Sequence, residues 1–173
     1  MKVFIGVDHG SNGALAAISE SGDIINVLKM PRKEDGDIDC LQVYSWLYEN
    51  FGDYEHEVIA CGEKLHAIFK ASASTTFSFG KNIGKIVGII ECLEMDYMEV
   101  RAVDWQKYIF TELSIPETHQ NKKTPSGKFK RDTKVMARMA VANIWGSESL
   151  PYIKHDGICD ALLIAEFARR KNT

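Results

Sequence analysis

Two continuously apolar runs, each stopped by a carboxylate, constrain this chain most. Val3-Phe4-Ile5-Gly6-Val7 ends on Asp8, and Val58-Ile59-Ala60-Cys61-Gly62 ends on Glu63. Short apolar runs without polar alternation predict buried strands of a sheet covered by helices. The first run leads into the turn signal Gly10-Ser11-Asn12-Gly13, a second strand over 14–19, a turn at Ser21-Gly22-Asp23 and a third strand over 24–30. Tight turns between such runs predict an antiparallel meander. Strand and helix then alternate. Asp39, with Gln42 three residues on, predicts the capped start of a helix to about Asn50. Residues 72–95 read as a long helix, 100–103 as a fifth strand, and Asp104 as the cap of a helix from Trp105. Two more helices are predicted over 131–144 and 157–170. Together these predict an α/β fold, a five-stranded mixed sheet with three antiparallel strands and then parallel ones, flanked by helices.

Composition excludes several classes. With 45% hydrophobic and 26% charged residues, the chain is not disordered throughout. No apolar run approaches the roughly 18 residues of a membrane span. The apolar start is cut short by Asp8, unlike a signal peptide, so the expected location is the cytoplasm. Cys40, Cys61, Cys92 and Cys159 are scattered and form no C-x-x-C pair. They are expected to be buried small hydrophobes rather than zinc ligands or disulfides. The length of 173 residues suits one domain, 1–173.

The net charge of −3 conceals a segregation. Between Asn121 and Arg138, Lys122, Lys123, Lys128, Lys130, Arg131, Lys134 and Arg138 face Asp132 alone, a block of +6 that leaves −9 on the rest. Eight acids and no Lys or Arg lie between Glu34 and Glu57. The acidic block reads as a solvated loop. The basic one, with Thr124-Pro125-Ser126-Gly127 at its middle, reads as a mobile basic loop at about 115–131 suited to a phosphate backbone.

Four carboxylates stand at element ends. Asp8 and Glu63 close two strands; Asp156 and Asp160 open the last helix and share one of its faces. If the first and fourth strands are neighbours, Asp8 and Glu63 lie side by side where ligands collect in an open α/β sheet, and a helix starting nearby would add Asp156 and Asp160. Each also has a plain alternative: a turn at Asp8, an exposed strand end at Glu63, an N-cap at Asp156, an outward face at Asp160. As a cluster of oxygen donors they favour Mg²⁺ or Mn²⁺ over zinc. Two such ions about 4 Å apart would activate water and stabilise the leaving oxygen of a phosphodiester.

Ile5-Gly6-Val7-Asp8-His9-Gly10, Ala60-Cys61-Gly62-Glu63-Lys64 and the stretch from Lys154 to Ala165, with its Asp pair before an Ala-rich helix, occur in one order. They resemble the three motifs of RuvC-type Holliday junction resolvases, members of the RNase H-like nuclease superfamily, most nearly those of bacteriophages. The resemblance spans residues 3 to about 168. It implies an RNase H-like endonuclease that resolves four-way junctions and other branched DNA by paired nicks, with two Mg²⁺ ions per site or Mn²⁺ in their place. Asp8 would bridge both ions, Glu63 would bind one and Asp160 the other, with Asp156 as the fourth acid. The position three before Asp160 is Gly157, and the acid stands one earlier at Asp156, beside His155. The resemblance also implies a homodimer through helix 72–95, where Gly80, Gly84 and Gly88 form a groove. Packing on its own sheet is the other use of that groove. Phe69, Phe77 and Phe79 lie just before it, where family members insert an apolar residue at the junction centre. Lys81, Lys85 and the basic block would contact DNA arms, Lys134 a phosphate near the site, and Trp105 would pack in the core.

Two other functions compete. Asp8-His9-Gly10-Ser11-Asn12-Gly13 also resembles the first phosphate loop of the actin and sugar-kinase superfamily, an ATP-binding phosphotransferase class that needs two such domains. A non-catalytic DNA-binding module on the same fold is the other alternative.

Overall fold

The computed structural model describes residues 1–52, 56–64, 72–123, 127 and 129–173. Strands β1 (Lys2–Asp8), β2 (Ala14–Ser19) and β3 (Ile24–Lys29) form the predicted meander. Helix α1 (Cys40–Phe51) leads to β4 (Glu57–Glu63), and helix α2 (Ala73–Cys92) to β5 (Asp96–Val100). The sheet order is β3-β2-β1-β4-β5. β1 pairs antiparallel with β2 and parallel with β4, which pairs parallel with β5. The five-stranded mixed sheet is therefore as expected. Helices α3 (Ala102–Glu112), α4 (Thr133–Trp145) and α5 (Asp156–Asn172) complete the chain, with a two-stranded ribbon of β6 (His119–Lys123) and β7 (Phe129–Arg131) before α4.

Side-chain alternation along β1 and β4 divides the core into two layers. Val3, Ile5, Val7, Val58 and Ala60 face α1 and α2. Phe4, Ile59 and Cys61 face α3, α4 and α5. Central strands covered on both faces explain the uninterrupted apolar runs. Asp39 caps α1 by accepting from the N–H groups of Leu41 and Gln42, at 3.1 and 3.3 Å. The Gln42 amide donates to the Asp39 carboxylate at 3.1 Å, and the Asp39 N–H donates to Pro31 O.

Three expectations need correction. The fifth strand spans 96–100, not 100–103, and α3 starts at Ala102 with Arg101 as its N-cap. Asp104 does not cap it but forms an ion pair with Arg101. β5 is an edge strand bonded on one side only, so Asp96 and Glu99 are exposed and obscure its pattern. The segment over 115–131, read as a loop, is in part the β6–β7 ribbon. Among the cysteines, Cys61 and Cys159 are buried, but Cys40 is half-buried and Cys92, ending α2, is exposed; all four are free thiols.

Candidate metal and nucleic-acid site

β1 and β4 run in parallel with Val7 opposite Gly62, so Asp8 and Glu63 follow one another off adjacent strand ends. Alternation turns both carboxylates toward the face covered by α5. The approach of that helix is set by backbone. A Cβ built on Gly6 would stand 1.9 Å from Ala161 O, and one on Gly157 would stand 2.1 Å from Asn12 O. Side chains at either place would push α5 off β1 and off the 9–13 turn. With glycines there, the first two turns of α5 bring Asp160 into the field of Asp8 and Glu63.

The electrostatics follow from this crowding. Burial pushes the Asp160 carboxyl up, and the charges of Asp8, Glu63 and Asp156 add to it, reaching about 7. Burial also raises Asp8, against a 2.9 Å hydrogen bond from the Gly10 N–H to Oδ1. Glu63 is raised by burial, opposed by the Trp105 indole N–H at 2.8 Å from Oε1 and reinforced by Asp8. Asp156 differs. Burial works upward, but hydrogen bonds from Lys134 and Arg138 outweigh it and hold the carboxyl below its usual range. Lys134 Nζ lies 2.8 Å from its Oδ2, and Arg138 Nε 3.0 Å from its Oδ1. It is the first residue of α5, not its N-cap; His155 holds that place, exposed and without a capping side-chain bond.

Among the described residues, no group of three His, Cys, Asp or Glu side chains already stands ready to hold one ion. Asp8, Glu63 and Asp156 each have a hydrogen-bonding partner, Asp160 sits in the field of the other acids, and like charges without a cation between them repel. The donor set nevertheless suits a hard divalent cation. Its donors are all carboxylate oxygens, and the repulsion that raises Asp160 is what such a cation would relieve.

The other predicted residues scatter. Lys81 and Lys85 both reach Asp37, at 3.0 and 2.7 Å, so the acidic block neutralises part of α2. Lys122 and Lys123 lie on β6; Lys130 and Arg131 are exposed on β7, and Arg131 Nε stands 3.3 Å from Glu117. Lys128 and Phe69 fall outside the described residues. Phe77 is 74% exposed on α2, while Phe79 is half-buried. A Cβ on Gly80, Gly84 or Gly88 would meet nothing within 4 Å, so these glycines do not pack on their own sheet.

Three features lay beyond sequence reasoning. Trp105, expected only to pack, is fully buried and also holds Glu63. Arg138, counted only within a basic block, binds Asp156. His9 is 2% exposed beneath the strand end, its Nε2 3.2 Å from the Tyr97 hydroxyl, and burial lowers it to about 4. None of these has a local signature, because each partner comes from a distant element.

No family model and no curated protein matches the sequence. Solved structures match along the whole chain. RuvC of T. thermophilus in complex with a Holliday junction substrate aligns at 15% identity and a TM-score of 0.60, covering 100% of this chain and 98% of that one. A second Thermus thermophilus RuvC structure aligns at 16% identity and a TM-score of 0.59, covering 99% and 97%. The chain thus has the fold of a RuvC-type Holliday junction resolvase, as its motifs imply. No helix among the described residues is long and apolar enough to cross a membrane.

Proposed function

We propose that this chain, with its RuvC fold, is a divalent-metal-dependent endonuclease that cuts four-way and other branched DNA. The observation that carries the reading is the convergence of Asp8, Glu63 and Asp160, whose burial and repulsion raise Asp160 to about 7. A buried group of like charges is costly to a fold and is accounted for by a cation site. Asp8, Glu63 and Asp160 would hold Mg²⁺, or Mn²⁺ in its place, with Asp156 as a fourth ligand. A pair of such ions supplies an activated water and stabilises the departing oxygen of the phosphodiester. Trp105 fixes one oxygen of Glu63, and the Gly10 N–H fixes the Asp8 carboxylate.

Lys134 and Arg138 have a double role in this reading. In the free chain they hold Asp156. A DNA phosphate arriving at the cleft competes for both cations and releases Asp156 to the other acids. The β6–β7 ribbon, with Lys122, Lys123, Lys130 and Arg131, supplies further backbone contacts, and Lys128, outside the described residues, is proposed to join them. Lys81 and Lys85 join them to the extent that DNA displaces Asp37. The exposed glycine face of α2 supports a homodimer, whose two-fold symmetry suits paired nicks across a four-way junction. Residues 1–173 would then form one nuclease domain whose basic segment at about 115–131 moves onto DNA in the cytoplasm.

The test compares a labelled four-way junction with matched duplex, in Mg²⁺ or EDTA, for wild type and Asp8→Asn. Paired nicks confined to the junction, dependent on metal and lost in the variant, are expected. Binding without cutting would leave a non-catalytic module, and tight ATP binding without junction binding would favour the phosphotransferase.

A further inference from the structure

We propose that a cavity on the opposite side of the Asp8 strand end, between the 9–11 turn and the first turns of α2, takes a single unstacked nucleobase of the bound DNA strand. This rests on the nuclease reading above. The cavity measures about 420 Å³, ample for one base, and is bounded by His9, Arg32, Phe79 and Asn82 with the hydroxyls of Ser74 and Ser78.

Two of its lining groups point to a ligand. His9 Nδ1 and Asn82 Oδ1 are buried atoms with no hydrogen-bond partner. His9 is 2% exposed, and its Nε2 is already occupied by Tyr97. Whichever way that bond runs, Nδ1 keeps one unmet role. Unmet buried donors and acceptors are uncommon in folded proteins because they are costly, and here both belong to residues that line the same cavity, where a small turn of either side chain would present them to a common partner. An imidazole nitrogen and an amide oxygen together suit the mixed donor–acceptor edge of a nucleobase. The ring of Phe79 offers a surface for its π-face.

The location favours a base over a free small molecule. Asp8 and His9 are successive residues, and alternation sends their side chains to opposite faces of the strand end. A strand with its phosphate at the carboxylates can place a neighbouring base beside His9. Arg32 sits at the rim, its guanidinium bonded to Gly36 O at 2.8 Å and Gly10 O at 3.4 Å. It therefore ties the turn that forms one wall.

The test uses the full chain and four-way junctions in two forms. In EDTA, 2-aminopurine is placed singly at each of the positions within about two nucleotides of the cut, and fluorescence is read on binding. In Mg²⁺, the four natural bases are compared there by single-turnover cutting. One position is expected to change fluorescence on binding, and the best and worst bases at that position to differ about tenfold in rate, the worth of one hydrogen bond. Asn82→Ala should bring that ratio within about twofold, and Phe79→Ala should remove the fluorescence change. Thermal unfolding of both variants is measured alongside, so that loss of fold is not mistaken for loss of the pocket. If wild type binds and cuts junctions but shows no such position, the pocket proposal is overturned and the nuclease reading stands. If wild type neither binds nor cuts any branched substrate, the nuclease reading fails and takes the pocket with it.

Discussion

Asp160→Asn should stabilise the metal-free protein at alkaline pH while abolishing its metal response. Folding moves the Asp160 carboxyl from 3.8 to about 7. Each pH unit between folded and unfolded values is worth about 1.4 kcal/mol, so a charged Asp160 costs the fold up to about 4 kcal/mol at pH 8. Screening and the burial of the replacing amide reduce the expected gain to about 2–3 kcal/mol. In a chain of this size that is a rise in Tm of roughly 4–12 °C. The sign is set by proton binding. Between about pH 4 and pH 7 the folded wild type holds a proton that the unfolded chain has lost. Wild-type stability from this group therefore falls through that interval and is level above it. The variant's advantage should be absent at pH 4, grow through pH 6 and be complete by pH 8. Calorimetry or urea unfolding in EDTA at four pH values measures it. Saturating Mg²⁺ at about 100 times its Kd adds about 2.7 kcal/mol to wild type and much less to the variant, so the order of stabilities should reverse or close. A variant that melts below wild type in EDTA at pH 8, or a difference independent of pH, would refute the carboxylate-repulsion argument.

Trp105→Phe keeps an aromatic ring in the core but leaves a cavity and removes the donor to Glu63; it should lose about 2–3 kcal/mol of stability and move the acid limb of the cutting profile toward alkaline pH, since Glu63 is raised further. Arg138→Ala loosens Asp156, so without DNA the variant should bind Mn²⁺ several-fold more tightly by calorimetry; unchanged affinity would count against the handover from Arg138 to metal. Gly6→Ala sets a methyl 1.9 Å from Ala161 O, and a loss of about 3 kcal/mol or more in urea unfolding, with weakened metal binding, is expected. Glu166→Gln removes a fully buried carboxylate held by Arg169 and Arg170, and should destabilise by about 3 kcal/mol at pH 7, the opposite sign to Asp160→Asn.

What could be read from the sequence is what short-range pattern encodes. The strand-end acids stand out because the runs before them are apolar on both faces, and adjacency of β1 and β4 then brings them together. The helix-opening pair Asp156 and Asp160 is equally local. The partners of these acids are not local. Trp105 lies 42 residues from Glu63, Arg138 lies 18 from Asp156, and the Asp37 contacts of Lys81 and Lys85 span 44 and 48 residues. No periodicity encodes such pairs; they follow from the layer in which each element packs. β5 escaped because an edge strand shows acids to solvent, and the β6–β7 ribbon because its density of lysines resembles a solvated loop.

Helix α5 carries two carboxylates six residues apart whose surroundings are opposite, and the contrast argues for function at one of them. Glu166 is 1% exposed and meets two guanidiniums, Arg169 at 2.7 Å and Arg170 at 2.6 Å. Its charge is answered within the chain, as burial of a structural acid requires. Asp160 lies in the field of three carboxylates, Asp8, Glu63 and Asp156, with Lys134 opposing them. Nothing in the packing demands an acid there, and the cost is borne by the rest of the helix. Leu162, Leu163 and Ile164 are completely buried beside it, and each contributes about 1.5–3 kcal/mol, enough together to offset the repulsion. Backbone contact at Gly6 and Gly157 then keeps α5 from backing away. An acid held against other acids by an apolar helix that cannot move is a fold spending stability on a charge it does not answer itself, and the divalent cation proposed above is the species that would answer it.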